Sequence, residues 1–160
     1  MIVVADTSPI NYLVLIGQID LLPHFYGRVL VPPSVWGELN DAATPETVRA
    51  WLEKRPEWLE VRPLRAEVES SLSFLDLGER EAIALAEELH AARLIADESL
   101  ARAEAARRNI PVIGTLGVLR NAARSNLIHL PEALAKLQET SFFVAPELIR
   151  SLLQEDANRK

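Results

Sequence analysis

Two aspartates carry the first chemical signal, because each directly follows a short aliphatic run: Val3-Val4-Ala5-Asp6 and Leu94-Ile95-Ala96-Asp97. If both runs are strands of one parallel sheet, both carboxylates lie along its carboxyl edge, where open α/β sheets bind ligands. A single Asp at such a place equally opens a turn or caps a helix. Two at equivalent strand ends are harder to assign to turns alone. Glu38 follows the second predicted strand, about one helical turn beyond Ser34, and Glu79 and Glu81 open an alanine-rich segment. Each has an ordinary reading as well. Glu38 suits an exposed helix face, and Asp76 and Glu79 have the spacing of a capping box, with the helix dipole favouring an acid there. Taken together they imply more. Two like charges about 4 Å apart, at an effective dielectric of about 20, repel by roughly 4 kcal/mol. Three or four converging carboxylates therefore call for protonation or a cation. A set of oxygen ligands without His or Cys suits Mg²⁺ or Mn²⁺ and not zinc. Such ions lower the pKa of a bound water and clamp phosphate oxygens, which is the chemistry of phosphodiester hydrolysis.

The surrounding pattern supplies elements able to position these acids. Short runs of Val, Ile and Leu alternate with helical periodicity, as βαβ units around a parallel sheet require. Strands are expected over residues 2–5, 28–31, 93–96 and 111–113, with 58–61 either an edge strand or a connection. Ser8 reads as an N-cap with Pro9 at the first helical position, and Gly17 closes that helix. Ser34 is expected to cap the next helix, and Thr44-Pro45 to start another. Further helices are expected over 100–109 and 115–124. Two amphipathic segments, 131–137 and 146–153, finish the domain. The reading is one domain over 1–154, with 126–154 a helical extension and 155–160 a loose polar tail.

Composition narrows the function classes. The chain has 160 residues, 49% hydrophobic and 25% charged, which is ordinary for a globular domain. Without cysteine there is no disulfide, zinc knuckle, iron–sulfur cluster or thiol nucleophile. A reducing, cytoplasmic setting fits. No run reaches the 18 or so apolar residues of a membrane span, and the N-terminal run is too short for a signal peptide. A net charge of −6 disfavours bulk attraction to nucleic acid and leaves room for a local basic patch. His24, His90 and His129 stand singly, outside any metal-ligand spacing. Gly114-Thr115-Leu116-Gly117 lacks the Lys of a phosphate-binding loop and reads as a strand-to-helix turn. Trp36, Trp51 and Trp58 read as core or partner-surface anchors.

The ordered series of motifs resembles the PIN-domain family of Mg²⁺- or Mn²⁺-dependent ribonucleases. More narrowly, it resembles the bacterial and archaeal branch of small proteins related to toxins of type II toxin–antitoxin pairs. The resemblance rests on Ala5-Asp6-Thr7-Ser8-Pro9-Ile10, on Val31-Pro32-Pro33-Ser34-Val35 leading to Glu38-Leu39, and on Leu77-Gly78-Glu79-Arg80-Glu81-Ala82-Ile83. It continues through Leu94-Ile95-Ala96-Asp97-Glu98 and Ile113-Gly114-Thr115-Leu116-Gly117. It implies an α/β fold, a three-layer α/β/α sandwich with a short parallel sheet, here followed by C-terminal helices. It places the catalytic and metal-binding acids at Asp6, Glu38, Glu79 and Asp97, with Glu81 and Glu98 as further candidates. Thr7 or Ser8 would support the metal waters. The third acid, usually Asp, is Glu here, and Glu79 and Glu81 fall on different helix faces, so only one should enter the pocket. The implied activity is RNA hydrolysis, with a small antitoxin as partner. A catalytically silent PIN-like module binding RNA or protein is the alternative, and an aspartyl-phosphate enzyme built on Asp6 ranks below both. Phe142-Phe143 and the helix that follows would close the core or form a homodimer contact.

Substrate binding would fall to arginines. Residues 101–125 hold Arg102, Arg107, Arg108, Arg120 and Arg124 against Glu104 alone, a charge of +4. Residues 76–98 hold seven acids against Arg80 and Arg93, a charge of −5. An acidic pocket beside a basic shoulder suits a metal-dependent nuclease. Solvated helix faces would show the same counts.

Overall fold

The computed structural model describes residues 1–159; Lys160 lies outside the described residues. Five short strands, β1 (Val3–Ala5), β2 (Val29–Val31), β3 (Leu59–Val61), β4 (Arg93–Ile95) and β5 (Val112–Ile113), form one parallel sheet in the order β3-β2-β1-β4-β5. The segment at 58–61 is thus an edge strand. Around the sheet stand α1 (Thr7–Leu15), α2 (Leu21–Tyr26), α3 (Pro33–Leu39), α4 (Glu46–Glu53), α5 (Leu77–Glu88), α6 (Ser99–Arg107), α7 (Thr115–Arg124), α8 (Leu130–Gln138) and α9 (Pro146–Arg159).

Strand alternation divides the core in two. Val3, Ala5, Val29, Val31 and Ile95 point to one face, where they pack with buried residues of α1–α4 and α7–α9. Val4, Leu30 and Leu94 point to the other, against Ala82, Ile83 and Leu85 of α5 and Ala101 and Ala105 of α6. A strand buried on both faces must be apolar throughout, which is why β1 and β2 read as unbroken aliphatic runs. The result is the expected three-layer α/β/α sandwich. Alanine dominates the α5–α6 layer because small side chains let helices approach the sheet closely.

The chain leaves β1 toward β2 and β3 on one side and crosses over to β4 and β5 on the other. The direction of winding therefore reverses at β1, and the carboxyl ends of β1 and β4 flank that switch point. The pairing Ala5↔Ile95 sets Asp6 and Asp97 beside each other's strand ends, and the Asp6 N–H continues the ladder to the Ile95 carbonyl at 2.9 Å.

Several expected details differ. Asp6 and not Ser8 is the N-cap of α1, since its carboxylate accepts from the Thr7 N–H. Pro32, not Ser34, precedes α3. The short α2 was not expected from the pattern, because six residues carry too little periodicity. The polar tail expected at 155–160 is helix as far as Arg159. Glu155 accepts from Arg120 at 2.9 Å and pairs with Arg124, and Asp156 is only 6% exposed and pairs with Arg159 at 3.1 Å. The partners of Glu155 are 35 and 31 residues distant in sequence, so no local signal marks them. Removing residues 155–160 should therefore lower the unfolding free energy by about 1–3 kcal/mol, measured by denaturant titration. An unchanged midpoint would restore the loose tail.

Candidate active site

A cleft of about 670 Å³ opens at the switch point. Among the described residues its walls carry seven carboxylates, Asp6, Glu38, Asp41, Asp76, Glu79, Asp97 and Glu98, and no Lys, Arg or His. The four acids expected at the site line it together, from β1, α3, α5 and the end of β4. Glu98 also faces it, with no capping hydrogen bond of its own. Glu81 does not line it: its carboxylate accepts from the Ser34 N–H at 3.2 Å and so satisfies the start of α3. Two residues along a helix is a rotation of about 200°, which sends Glu79 and Glu81 to different neighbours.

Three consecutive residues organise the acids. Asp6 Oδ1 accepts from the Thr7 N–H at 2.8 Å. The Thr7 hydroxyl donates to Glu38 Oε2, and the Ser8 hydroxyl donates to Asp97 Oδ2 at 2.8 Å. The two hydroxyls spend their protons on carboxylates and so position them, and their lone pairs stay able to accept hydrogen bonds. Asp97 is held further by Thr115, whose N–H and hydroxyl each donate at 2.7 Å. Glu38 accepts from the Gly78 N–H. Asp6, Glu38 and Asp97 thus sit at the N-termini of α1, α5 and α7, where free N–H groups and the helix dipole favour negative charge.

Two glycines make room for this arrangement. A Cβ on Gly78 would stand 2.8 Å from Glu38 Oε1, and one on Gly114 would stand 2.9 Å from Asp97 Oδ1. Both distances are inside van der Waals contact, so any larger residue displaces the carboxylate. Gly78, Gly114, Thr115 and Asp76 are site residues that the acid pattern alone does not single out. A Gly in the first turn of α5 and another just before α7 were the available signal, and Gly is common at such places for other reasons.

The charge is only partly balanced. Burial pushes the Asp6 carboxyl up to about 7, and Asp76, Glu38 and Glu79 add to the rise while the Thr7 N–H opposes it. Burial likewise raises Glu38, aided by Asp76 and Glu81, and raises Glu79, aided by Asp76, Glu98 and Glu38. Glu79 and Asp76 form the capping box, with Glu79 N–H to Asp76 at 2.9 Å and Asp76 N–H to Glu79 at 3.1 Å. Among the described residues no three acidic or histidine side chains are drawn together into a metal cage. Separate hydroxyl and amide donors hold the acids apart around one cleft. The donor set still fits a hard cation: it is all oxygen, carries excess negative charge and includes a carboxyl whose proton a cation would replace.

The basic shoulder is largely neutralised. Arg107 pairs with Glu104, and Arg108 reaches Glu104 at 2.7 Å, Glu87 at 3.0 Å and Glu69 at 3.3 Å. Arg120 and Arg124 pair with Glu155. Among the described residues Arg102 alone of the five makes no ion pair. The charge count along 101–125 missed Glu69, Glu87 and Glu155 because they arrive from other elements.

Residues 2–158 match a family model described as PIN domain. The chain belongs to the PIN-domain family. PIN domains are generally nucleases and generally use divalent metal ions. Among solved structures, a PilT N-terminus domain protein from the hyperthermophilic archaeon Sulfolobus solfataricus P2 is similar. It is 18% identical with a TM-score of 0.52, over 91% of this chain and 100% of that one. Agreement at that identity concerns the fold. No curated protein matches the chain. Among the described residues no helix is long and apolar enough to cross a membrane.

The buried acid of this PIN domain should report itself through pH. Between pH 3.8 and about 7 the native protein keeps a proton on Asp6 that the unfolded chain has released. Its contribution to stability is therefore complete below the unfolded value and is lost as pH rises through 7, by up to about 4 kcal/mol. Asp6→Asn should melt above wild type at pH 8 and level with it at pH 4 in EDTA. A difference that does not vary with pH would contradict the assignment.

Proposed function

We propose that this cleft is the active site of a divalent-metal-dependent endoribonuclease that hydrolyses RNA phosphodiesters. The supporting observation is the cleft itself: among the described residues, seven carboxylates and no cationic side chain at the sheet's switch point, with Asp6 held near half-protonation at neutral pH. Asp6, Glu38, Glu79 and Asp97 would hold Mg²⁺ or Mn²⁺, with Glu98 at the edge. When bound, such an ion supplies positive charge to phosphate oxygens and makes an attacking water more acidic.

The protein's own groups have separable tasks. Asp6 carries the proton that a bound cation would displace. Thr7, Ser8 and Thr115 fix the orientation of Glu38 and Asp97, so those carboxylates need no reorganisation. Glu79 lines the cleft while its carboxylate accepts from the Asp76 N–H, a bond it would release to ligate an ion. Water is the nucleophile in this reading: the cleft has no Cys or His, and its hydroxyls on Thr7, Ser8, Tyr12, Thr44 and Ser141 are all engaged in hydrogen bonds. Arg102 is available for a phosphate. The family resemblance extends the reading to the toxin half of a toxin–antitoxin pair, with a small antitoxin covering the cleft; the lack of cysteine fits a cytoplasmic setting, and the apolar C-terminal helix offers a homodimer contact.

One observation favours a second reading. Glu79 is engaged in its capping box, which suits a silent PIN-like module that binds RNA or protein.

Cleavage of a labelled RNA pool separates the two. The enzyme should cut with Mn²⁺, stop in EDTA and lose all cleavage in Asp6→Asn. Gly78→Ala keeps every acid and should still cost about 10–100-fold by displacing Glu38. Mn²⁺ should raise the melting midpoint of wild type and not of Asp6→Asn. RNA bound in EDTA and never cut with any divalent ion would establish the silent module.

A further inference from the structure

A second cavity, of about 420 Å³, adjoins the acidic cleft and shares Asp97, Phe142 and Phe143 with it. The two therefore form one continuous groove, with the Phe142-Phe143 pair at their junction. The second part is lined mainly by apolar residues such as Leu116 and Leu148, with Ser99 and Arg102 among them. Arg120 also borders it but is bound to Glu155.

The two aromatic neighbours have different surroundings. Phe142 packs edge-on against Tyr12 with ring centroids 4.9 Å apart. The Tyr12 hydroxyl meets Ser141 Oγ at 2.7 Å, and the Phe142 N–H donates to Thr140 Oγ1 at 3.2 Å. This pinned segment presents Phe143 to solvent, 85% exposed. Arg102 is placed in a similar way. One of its guanidinium nitrogens and Asp97 Oδ1 both lie within 4 Å of the point a Cβ on Gly114 would occupy. No ion pair joins them: the Asp97 oxygens accept from Ser8 and Thr115. An uncommitted cation and an uncommitted ring thus face one groove that runs into the cleft.

We propose that this groove is a subsite for single-stranded RNA next to the scissile phosphate, with a base stacked on Phe143 and a backbone phosphate on Arg102. The assignment rests on the ribonuclease reading of the cleft. An aromatic face and an isolated cation are the two elements that hold unpaired nucleotides without reading their sequence. A duplex is excluded by the same geometry, because its bases are already stacked and paired. An amphipathic protein helix would use the apolar lining but leaves Arg102 and the continuity with the phosphate cleft unexplained.

The test is fluorescence anisotropy of full-length protein with a labelled oligouridine and with an RNA hairpin of equal length, in Ca²⁺ and in EDTA. Phe143→Ala should weaken oligouridine binding about tenfold, while Phe143→Trp binds as wild type does. The loss should appear with Ca²⁺ and with EDTA alike, because stacking does not need the ion. Arg102→Ala should weaken binding and lower the salt slope by about one. Neither change should move the melting midpoint. Wild-type binding by Phe143→Ala, equal affinity for the hairpin, or capture of an amphipathic peptide in place of RNA would overturn the subsite. If Phe143→Ala cuts RNA with an unchanged KM, the subsite fails and the nuclease stands. If binding depends on Phe143 and no divalent ion gives cleavage, the subsite stands and the nuclease fails.

Discussion

Crowded negative charge at the carboxyl edge of the sheet is the constraint around which the rest of this molecule is arranged. Seven carboxylates face one cleft without a cationic side chain among them. Mutual repulsion of that kind would open the fold locally unless opposed. Three helix N-termini supply the opposition, since α1, α5 and α7 all begin at this edge and direct N–H groups to Asp6, Glu38 and Asp97. Right-handed βαβ connections put helix starts at the carboxyl ends of parallel strands, so the topology that gathers the acids also gathers the dipoles. Protonation at Asp6 removes part of what remains.

The same constraint explains why the acids share a cleft yet form no closed cage. Each donor that makes an acid tolerable also fixes its place: Thr7 holds Glu38, Ser8 and Thr115 hold Asp97, and Asp76 holds Glu79. Binding of a doubly charged ion would exchange some of these bonds for coordination. The exchange is easiest at Glu79, whose partner is an exposed capping box, and hardest at Asp97, whose oxygens already accept three hydrogen bonds. Gly78 and Gly114 keep the space beside both open.

Much of this was legible in the residue pattern where the signal was local. Strand ends at Asp6 and Asp97, the capping box at Asp76 and the limits of α7 all follow from neighbours a few positions apart. The inward turn of Glu79 and outward turn of Glu81 follow from helical spacing. What escaped the pattern depends on distant partners. Arg107 and Arg108 counted as a basic face until Glu69 and Glu87 came up beside Glu104. Residues 155–159 looked like polar tail until Arg120 and Arg124 were placed beside Glu155. Ser34 resembled a cap, but the start of α3 is satisfied from α5 through Glu81. Ion pairs between elements leave no periodicity, so net charge along a segment overstates the charge that segment presents.

Anomalous diffraction from crystals soaked in Mn²⁺ tests the central claim most directly, because it locates the ion independently of any activity. The account predicts one or two anomalous peaks inside the cleft, within about 2.0–2.3 Å of oxygens from Asp6 and at least one of Glu38, Glu79 and Asp97, and none in Asp6→Asn. A cleft without a peak at saturating Mn²⁺, with the capping box and the Asp6 proton still in place, would contradict it.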